Sequence, residues 1–309
     1  MLKRVSAFSP GHVTGLFYMQ DTNEDPLYAG SLGAGFSLQK GVYTTIELKE
    51  SESDCDIYVN DIQSAAPVSR KVIELFFKKI GEKPVPLNVI HTIETPQGAG
   101  FGTSGAGALS LSLALNRMYG EPMNFIDASK IAHIAEVCCR TGLGTVMGET
   151  IGGFKVLVKV GAPGIGETLS IPYTQDMYAV FVVFGPLSTK EYLSDPAIRA
   201  KIISAGQKYH GLIRQTPNIE SFIRYSRAFT EATGINSPNV RASLDNFTSH
   251  EINASMLMFG EGTFSIVRRE CLDNTVKIAE EFCRKYTNKP GLVFISKIAK
   301  RGAGIVSED

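Results

Sequence analysis

The sequence predicts an α+β protein, and three observations carry that reading. Strand-like runs rich in β-branched residues and helix-like runs of 3.6-residue periodicity are mixed without strict alternation. A glycine-rich stretch at 98–107 connects a strand pattern directly to a helix pattern. A cluster of breakers, Gly161, Ala162, Pro163, Gly164 and Gly166, interrupts the chain near its middle. The 309 residues suffice for two medium domains, each with its own core. The breaker cluster sets the expected boundary, giving an N-terminal domain at 1–165 and a C-terminal domain at 166–309.

In chain order, residues 42–48 and 87–93 read as strands from their β-branched content. Residues 108–118 combine strong helix formers with helical spacing, closed by Gly120 and Pro122. A helix is expected over 127–140, with Ile131, Ile134, Ala135 and Cys138 on a buried face. His133, Glu136 and Arg140 then share another face, either as a solvated stripe or as part of a site. Residues 154–160 alternate as a half-buried strand, and 177–184 read as a central strand. Helical patterns dominate 195–233. Residues 255–267 read as strand, turn and strand around Gly260 and Gly262, and 273–286 as an amphipathic helix. Short strands are expected at 293–296 and 304–306.

Composition narrows the function classes. Apolar residues make up 43% and charged residues 20%, as in an ordinary soluble globular protein. Lys plus Arg equals Asp plus Glu at 31 each, which argues against a nucleic-acid partner. No apolar run reaches the roughly 18 residues of a membrane helix, so no membrane partner is expected. Five scattered cysteines without metal-ligand spacing, and no export signal at the start, point to reduced thiols in a cytoplasm. The adjacent Cys138 and Cys139 are expected as buried helix thiols.

The segment Pro96-Gln97-Gly98-Ala99-Gly100-Phe101-Gly102-Thr103-Ser104-Gly105-Ala106-Gly107 carries the chemistry. Glycines permit positive φ and close backbone approach, and the following helix aims free N–H groups at the loop. Together these make a phosphate site, with hydroxyls of Thr103 and Ser104 available to phosphate or Mg²⁺. No Gly-Lys-Ser/Thr ends the segment, so it is not the usual P-loop. Thr103 stands where the dinucleotide fingerprint needs its third glycine.

Pro96, three residues, then Gly100-Phe101-Gly102-Thr103-Ser104-Gly105-Ala106 resembles the second motif of the GHMP kinases, with Phe101 in place of Leu and Gly105 in place of Ala. Residues 9–17, Ser-Pro-Gly-His-Val-Thr-Gly-Leu-Phe, resemble that family's first motif, and 258–264 its third. The start, Gly30-Ser31-Leu32-Gly33-Ala34-Gly35, Gly142-Leu143-Gly144 and Gly161-Ala162-Pro163-Gly164 further resemble the archaeal pantoate kinases. The resemblance implies a fold of two parts: one like ribosomal protein S5 domain 2, one ferredoxin-like, with the substrate between them. It also implies ATP and Mg²⁺ as cofactors. The phosphates would be held by Pro96, Gly98, Gly100, Gly102, Thr103, Ser104, Gly105 and Ala106, and Mg²⁺ by Ser104 and Glu136. A small anionic substrate is expected near His12, His133, Arg140, Lys155 and Ser188, and a homodimer is a candidate assembly.

Two positions depart from the pantoate kinase pattern. The Asp that follows Gly-Leu-Gly there, its expected base, is Thr145 here, and an Arg a dozen residues on is Leu157. Thr145 is therefore the candidate catalytic hydroxyl beside Ser104 and Glu136, with Glu149 as another carboxylate within reach. Phosphoryl transfer rests mainly on positioning and charge neutralisation, so loss of the Asp does not exclude turnover. The departures lead to mevalonate 3-phosphate, phosphorylated at its 5-hydroxyl in a variant mevalonate pathway of isoprenoid synthesis, as the expected substrate. Lys155, Lys159, Arg140 and His133 are its candidate cationic partners, although both lysines also fit the outer face of a strand. Pantoate, in coenzyme A biosynthesis, is the alternative substrate. A nucleotide-binding paralogue without turnover is the alternative of another class.

Overall fold

A computed structural model describes residues 2–20, 23–50, 55–187 and 195–309. The strands, in chain order, are β1 (Arg4–Gln20), β2 (Gly30–Leu48), β3 (Asp56–Val59), β4 (Ile62–Gln63), β5 (Leu87–Ile93), β6 (Phe154–Lys159), β7 (Glu167–Ile171), β8 (Met177–Pro186), β9 (Ala254–Met256), β10 (Gly260–Arg268), β11 (Leu292–Lys297) and β12 (Gly304–Glu308). The helices are α1 (Pro67–Ile80), α2 (Thr103–Met118), α3 (Phe125–Cys139), α4 (Thr145–Ile151), α5 (Pro196–Gln215), α6 (Ile219–Thr233), α7 (Pro238–Ser249) and α8 (Arg269–Lys285). The expected α+β mixture is present. Among the described residues no helix is long and apolar enough to cross a membrane.

The larger sheet runs β12-β1-β2-β5-β3-β4, with β6 and β7 added beside the first half of β2. The boundary expected at 165 falls in the turn between β6 and β7, and both strands belong to this larger sheet. The smaller sheet is antiparallel in the order β11-β8-β10-β9. Counted within that half it reads 4-1-3-2, with helices between the first and second strands and between the third and fourth, which is the ferredoxin-like arrangement.

β1 holds most of the first motif in a strand rather than a loop. Its register shifts between Pro10 and His12 and again between Thr14 and Leu16, so Gly11 and Gly15 sit at bulges. A bulge tolerates Pro10, whose missing N–H would break a regular ladder. α2 is buried on almost every side, since it lies between the sheet and α3. The packed face of α3 is Ala128, Ile131, Ala132 and Ala135, small enough to bring it close onto α2. Cys138, expected in that face, is exposed in the last turn, and Cys139 is only partly buried. Gly260 and Gly262, expected in a turn, are both in β10; the turn is made by 257–259, with Phe259 at φ 64°.

Aromatic packing joins the two sheets. Phe36 of β2 stacks on Phe154 with centroids 5.0 Å apart and meets Phe264 at 5.4 Å and Phe222 at 5.9 Å. All four rings are fully buried. Replacing Phe36 by Ala should therefore cost about 3–5 kcal/mol. The check is a lower urea midpoint at unchanged slope.

Under α2 lies a buried polar chain. His91 of β5 pairs its Nδ1 with Thr44 Oγ1 at 2.8 Å and its Nε2 with Ser69 Oγ at 3.0 Å, and Thr44 Oγ1 meets Ser110 Oγ at 2.5 Å. Burial pushes the His91 imidazole from 6.5 down to about 4. A histidine held neutral when folded takes up its proton only on unfolding. Its contribution is complete above about 6.5 and lost as pH falls toward 4. Urea midpoints measured between those limits should fall less steeply for His91→Gln than for the parent. Equal slopes would remove His91 from the acid response.

Candidate active site

The phosphate loop lies between β5 and α2. Gly98, Gly100 and Gly102 take φ of 67°, 87° and 66°, the left-handed region that only glycine enters freely. Gly102 caps α2 without a side-chain bond, and the first helical bond runs from Ala106 N–H to the Gly102 carbonyl at 3.0 Å. The N–H groups of Thr103, Ser104 and Gly105 precede that bond and have no partner within the helix. With the positive end of the helix dipole behind them, they form an anion site. Gly98 is exposed and Gly100, Gly102, Thr103 and Ser104 are half-buried, while Phe101, Gly105 and Ala106 turn inward. Pro96 enters the loop half-buried.

Three motifs converge on this loop. His12 N–H of β1 donates to the Phe101 carbonyl at 2.9 Å. A Cβ on Gly100 would stand 2.5 Å from the Met258 carbonyl, and one on Gly260 would collide with the Ala99 carbonyl. Phe101 points down between the sheets, 5.0 Å from Phe181 and 5.3 Å from Phe294. That larger pocket accounts for a phenylalanine at this position.

Beside the loop, Ser104 Oγ donates to Glu136 Oε1 at 2.5 Å, and Thr141 Oγ1 donates to the same oxygen at 2.7 Å. Burial raises the Glu136 carboxyl, and the two hydroxyls work against that rise. Thr141 is absent from the sequence-based site. It reaches Glu136 because Arg140 takes a left-handed φ of 57° and turns the chain back, a bend that residue spacing does not reveal. Thr145 opens α4, and its Oγ1 lies 2.8 Å from where a Cβ on Gly105 would be. Glu149 Oε2 lies at the same 2.8 Å from that point, fully buried. Burial first, and the Glu136 charge second, raise the Glu149 carboxyl well above its ordinary range.

The residues expected around the substrate scatter into different roles. His12 is buried, with Nδ1 3.3 Å from Ser37 Oγ, and burial takes its pKa down to about 4. It is a neutral support beneath the loop, not a cation. His133 is also buried, and its Nε2 meets the Pro26 carbonyl at 3.0 Å, which ties α3 to the segment before β2. Arg140 is the exposed cap of α3. Lys155 is half-buried on β6 and donates to Ser170 Oγ at 2.7 Å. Lys159 pairs at the surface with Glu167 at 2.9 Å. Ser188 lies outside the described residues. Leu157, the residue that departs from the arginine of the resembled pattern, packs with Tyr18, Leu32 and Met147, while its carbonyl accepts from His210 Nε2 at 2.8 Å. Ser31 N–H donates to the Leu143 carbonyl at 2.8 Å, which holds Gly142-Leu143-Gly144 against β2.

Mg²⁺ takes few protein oxygens alongside phosphate and water. The hydroxyl–carboxylate pair of Ser104 and Glu136 fits that demand, and the buried oxygens of Glu149 have no hydrogen-bond donor.

The family model of the GHMP kinases N terminal domain matches residues 68–152, from α1 to the end of α4. The chain is 34% identical over 277 residues to a pantoate kinase of Thermococcus kodakarensis, covering 86% of this chain and 88% of that protein. It is 31% identical over 271 residues to a pantoate kinase of Methanocaldococcus jannaschii, covering 88% and 96%. A solved structure described as a phosphotransferase related to the CoA biosynthesis pathway superposes with a TM-score of 0.83 at 30% identity, over 98% of both chains. These relatives overturn mevalonate 3-phosphate as the substrate, and with it the isoprenoid pathway. The physical reason is visible in the site. A second phosphate needs clustered cations, yet Lys159 is paired with Glu167, His133 is bonded to the Pro26 carbonyl, Arg140 is an exposed cap and Leu157 sits in an apolar cluster, which leaves Lys155, bonded to the neutral Ser170 hydroxyl, without a second cation beside it. The three converging motifs, the phosphate loop and the relatives lead to one conclusion: the chain belongs to the GHMP kinases, on their pantoate kinase-like branch, and is an ATP-dependent kinase with an alcohol acceptor.

Proposed function

We propose that this protein transfers the γ-phosphate of ATP to a hydroxyl of pantoate, a step toward coenzyme A. The similarity to pantoate kinases over most of both chains carries this reading. The loop's free N–H groups hold the ATP phosphates, with Gly98, Gly100, Gly102, Thr103 and Ser104 on its open side. Ser104 and Glu136 hold Mg²⁺, which when bound neutralises charge on the transferring phosphate. The Thr145 hydroxyl, at the opening of α4, hydrogen-bonds the attacking hydroxyl and orients it. Lys155 shares a face of β6 with Leu157, two residues on, and supplies the positive charge for the carboxylate in place of arginine. The larger and the smaller sheet supply opposite walls, since the third motif, at the turn before β10 and the start of that strand, approaches the loop from the far side.

Purified protein with ATP and Mg²⁺ should convert pantoate to a product heavier by one phosphoryl group, seen by mass spectrometry together with stoichiometric ADP. ADP release that pantoate does not stimulate would sink this reading and favour a nucleotide-binding paralogue. In the same assay Glu136→Gln should lower kcat by about 10²–10³, the scale for removing one electrostatic stabiliser of the transition state. Its thermal midpoint should stay near the parent's. Parental turnover in that variant would take Glu136 out of the site.

A further inference from the structure

Three carboxylates are buried among the described residues: Glu136, Glu149 and Glu261. Two of them have their donors. Glu261 accepts from Ser237 at 2.7 Å, Asn239 at 2.8 Å and Lys289 at 2.6 Å. Glu136 accepts from Ser104 and Thr141. Glu149 has no hydrogen-bond donor at either oxygen, although it is fully buried. A buried ionised carboxyl without a donor is costly, so such a group stays protonated or meets a cation.

Its position says which partner fits. Thr145 and Glu149 are four residues apart on α4 and share a face. A long helical side chain leans back toward the helix N-terminus, which brings the Glu149 carboxyl toward the Thr145 hydroxyl. Glu149 Oε1 would stand 2.7 Å from a Cβ on Gly102 and Oε2 2.8 Å from one on Gly105. The carboxyl thus lies against the two glycines that bracket Ser104. On the other side, a Cβ on Gly142 would collide with Glu136 Oε2 and stand 3.3 Å from Thr145 Oγ1. Two carboxyls therefore flank one hydroxyl beside the phosphate loop.

We propose that Glu149 is a further protein ligand of the divalent cation that accompanies the nucleotide, acting with Glu136 and Ser104. This rests on the reading of Ser104 and Glu136 as cation ligands given above. A hard divalent ion prefers oxygen donors of this kind. It also supplies the partner that both buried oxygens of Glu149 lack.

The test is a Mn²⁺ titration, followed by loss of the free-ion EPR signal, on the protein saturated with a non-hydrolysable ATP analogue. Glu149→Gln should weaken Mn²⁺ binding by at least about tenfold, the loss that even an outer-shell partner of a metal ligand causes. Without metal its thermal midpoint should stay near the parent's, because a neutral amide then replaces a carboxyl that is itself held protonated. A variant that binds Mn²⁺ as the parent does overturns the proposal, whatever happens to its stability. So does a parent that holds Mn²⁺ no better than the analogue alone. Should Glu149→Gln fail to fold, Glu149→Asp, which draws the carboxyl back by one methylene, is read in the same way. The readout needs no pantoate: failure to phosphorylate pantoate with Mn²⁺ binding as expected would sink the substrate and leave the ligand.

Discussion

The α-carbon of Gly260 lies against the carbonyl of Ala99, and the α-carbon of Gly100 against the carbonyl of Met258. No side chain fits at either contact, so the phosphate loop and the turn before β10 meet backbone to backbone. Below them Phe101 plugs into the aromatic layer of Phe181 and Phe294. From the front, His12 N–H grips the Phe101 carbonyl. The loop is thereby fixed by strands of both sheets, and the free N–H groups at the start of α2 inherit a fixed direction. Every functional distance in the site is measured from this clamp. A preorganised anion site of this kind need not rearrange when phosphate charge develops.

The electrostatic design separates anion from cation by only a few residues. The loop offers partial positive charge through its backbone, whereas Glu136 and Glu149 place carboxyls directly beside it. The nearby histidines do not offset them, because burial keeps His12 and His133 neutral and hydrogen-bonded. Beyond them, the Ser31–Leu143 backbone bond and the apolar cluster around Leu157 hold the Gly142–Gly144 turn against β2 and β6.

Much of this was legible in the residues. Strand β5 and helix α2 follow from β-branched runs and helical spacing, and the loop follows from glycine between them. The pairing of Ser104 with Glu136 could be anticipated because the motif and the helix face both survive in one dimension. Other parts were hidden for physical reasons. β1 contains Pro10, Gly11 and Gly15, which look like loop residues until bulges absorb them. Helix α1 is preceded by Ala66, at φ 37° and without a side-chain cap, so it carries no starting signal in its capping residue. Gly260 looks like a turn residue, but its need is close approach to a segment 160 residues away. The same holds for Thr141, Ser31 and the isolation of Glu149, which depend on which backbone folds back and on what fails to arrive.

β12 closes the edge of the larger sheet by pairing with β1, and Lys3 and Arg4 donate to the Asp309 carbonyl at 3.0 and 3.2 Å. The first strand therefore finds its outer neighbour only when residues 304–308 have left the ribosome. Until then β1 presents a bare edge of unpaired N–H and C=O groups, a template for intermolecular pairing. Closing a loop of that length costs little more entropy than closing a short one, but the search is slow. During synthesis, then, the larger sheet keeps an open edge for most of the elongation time, and the smaller sheet, whose β11 spans Leu292–Lys297, is completed only shortly before that edge is closed.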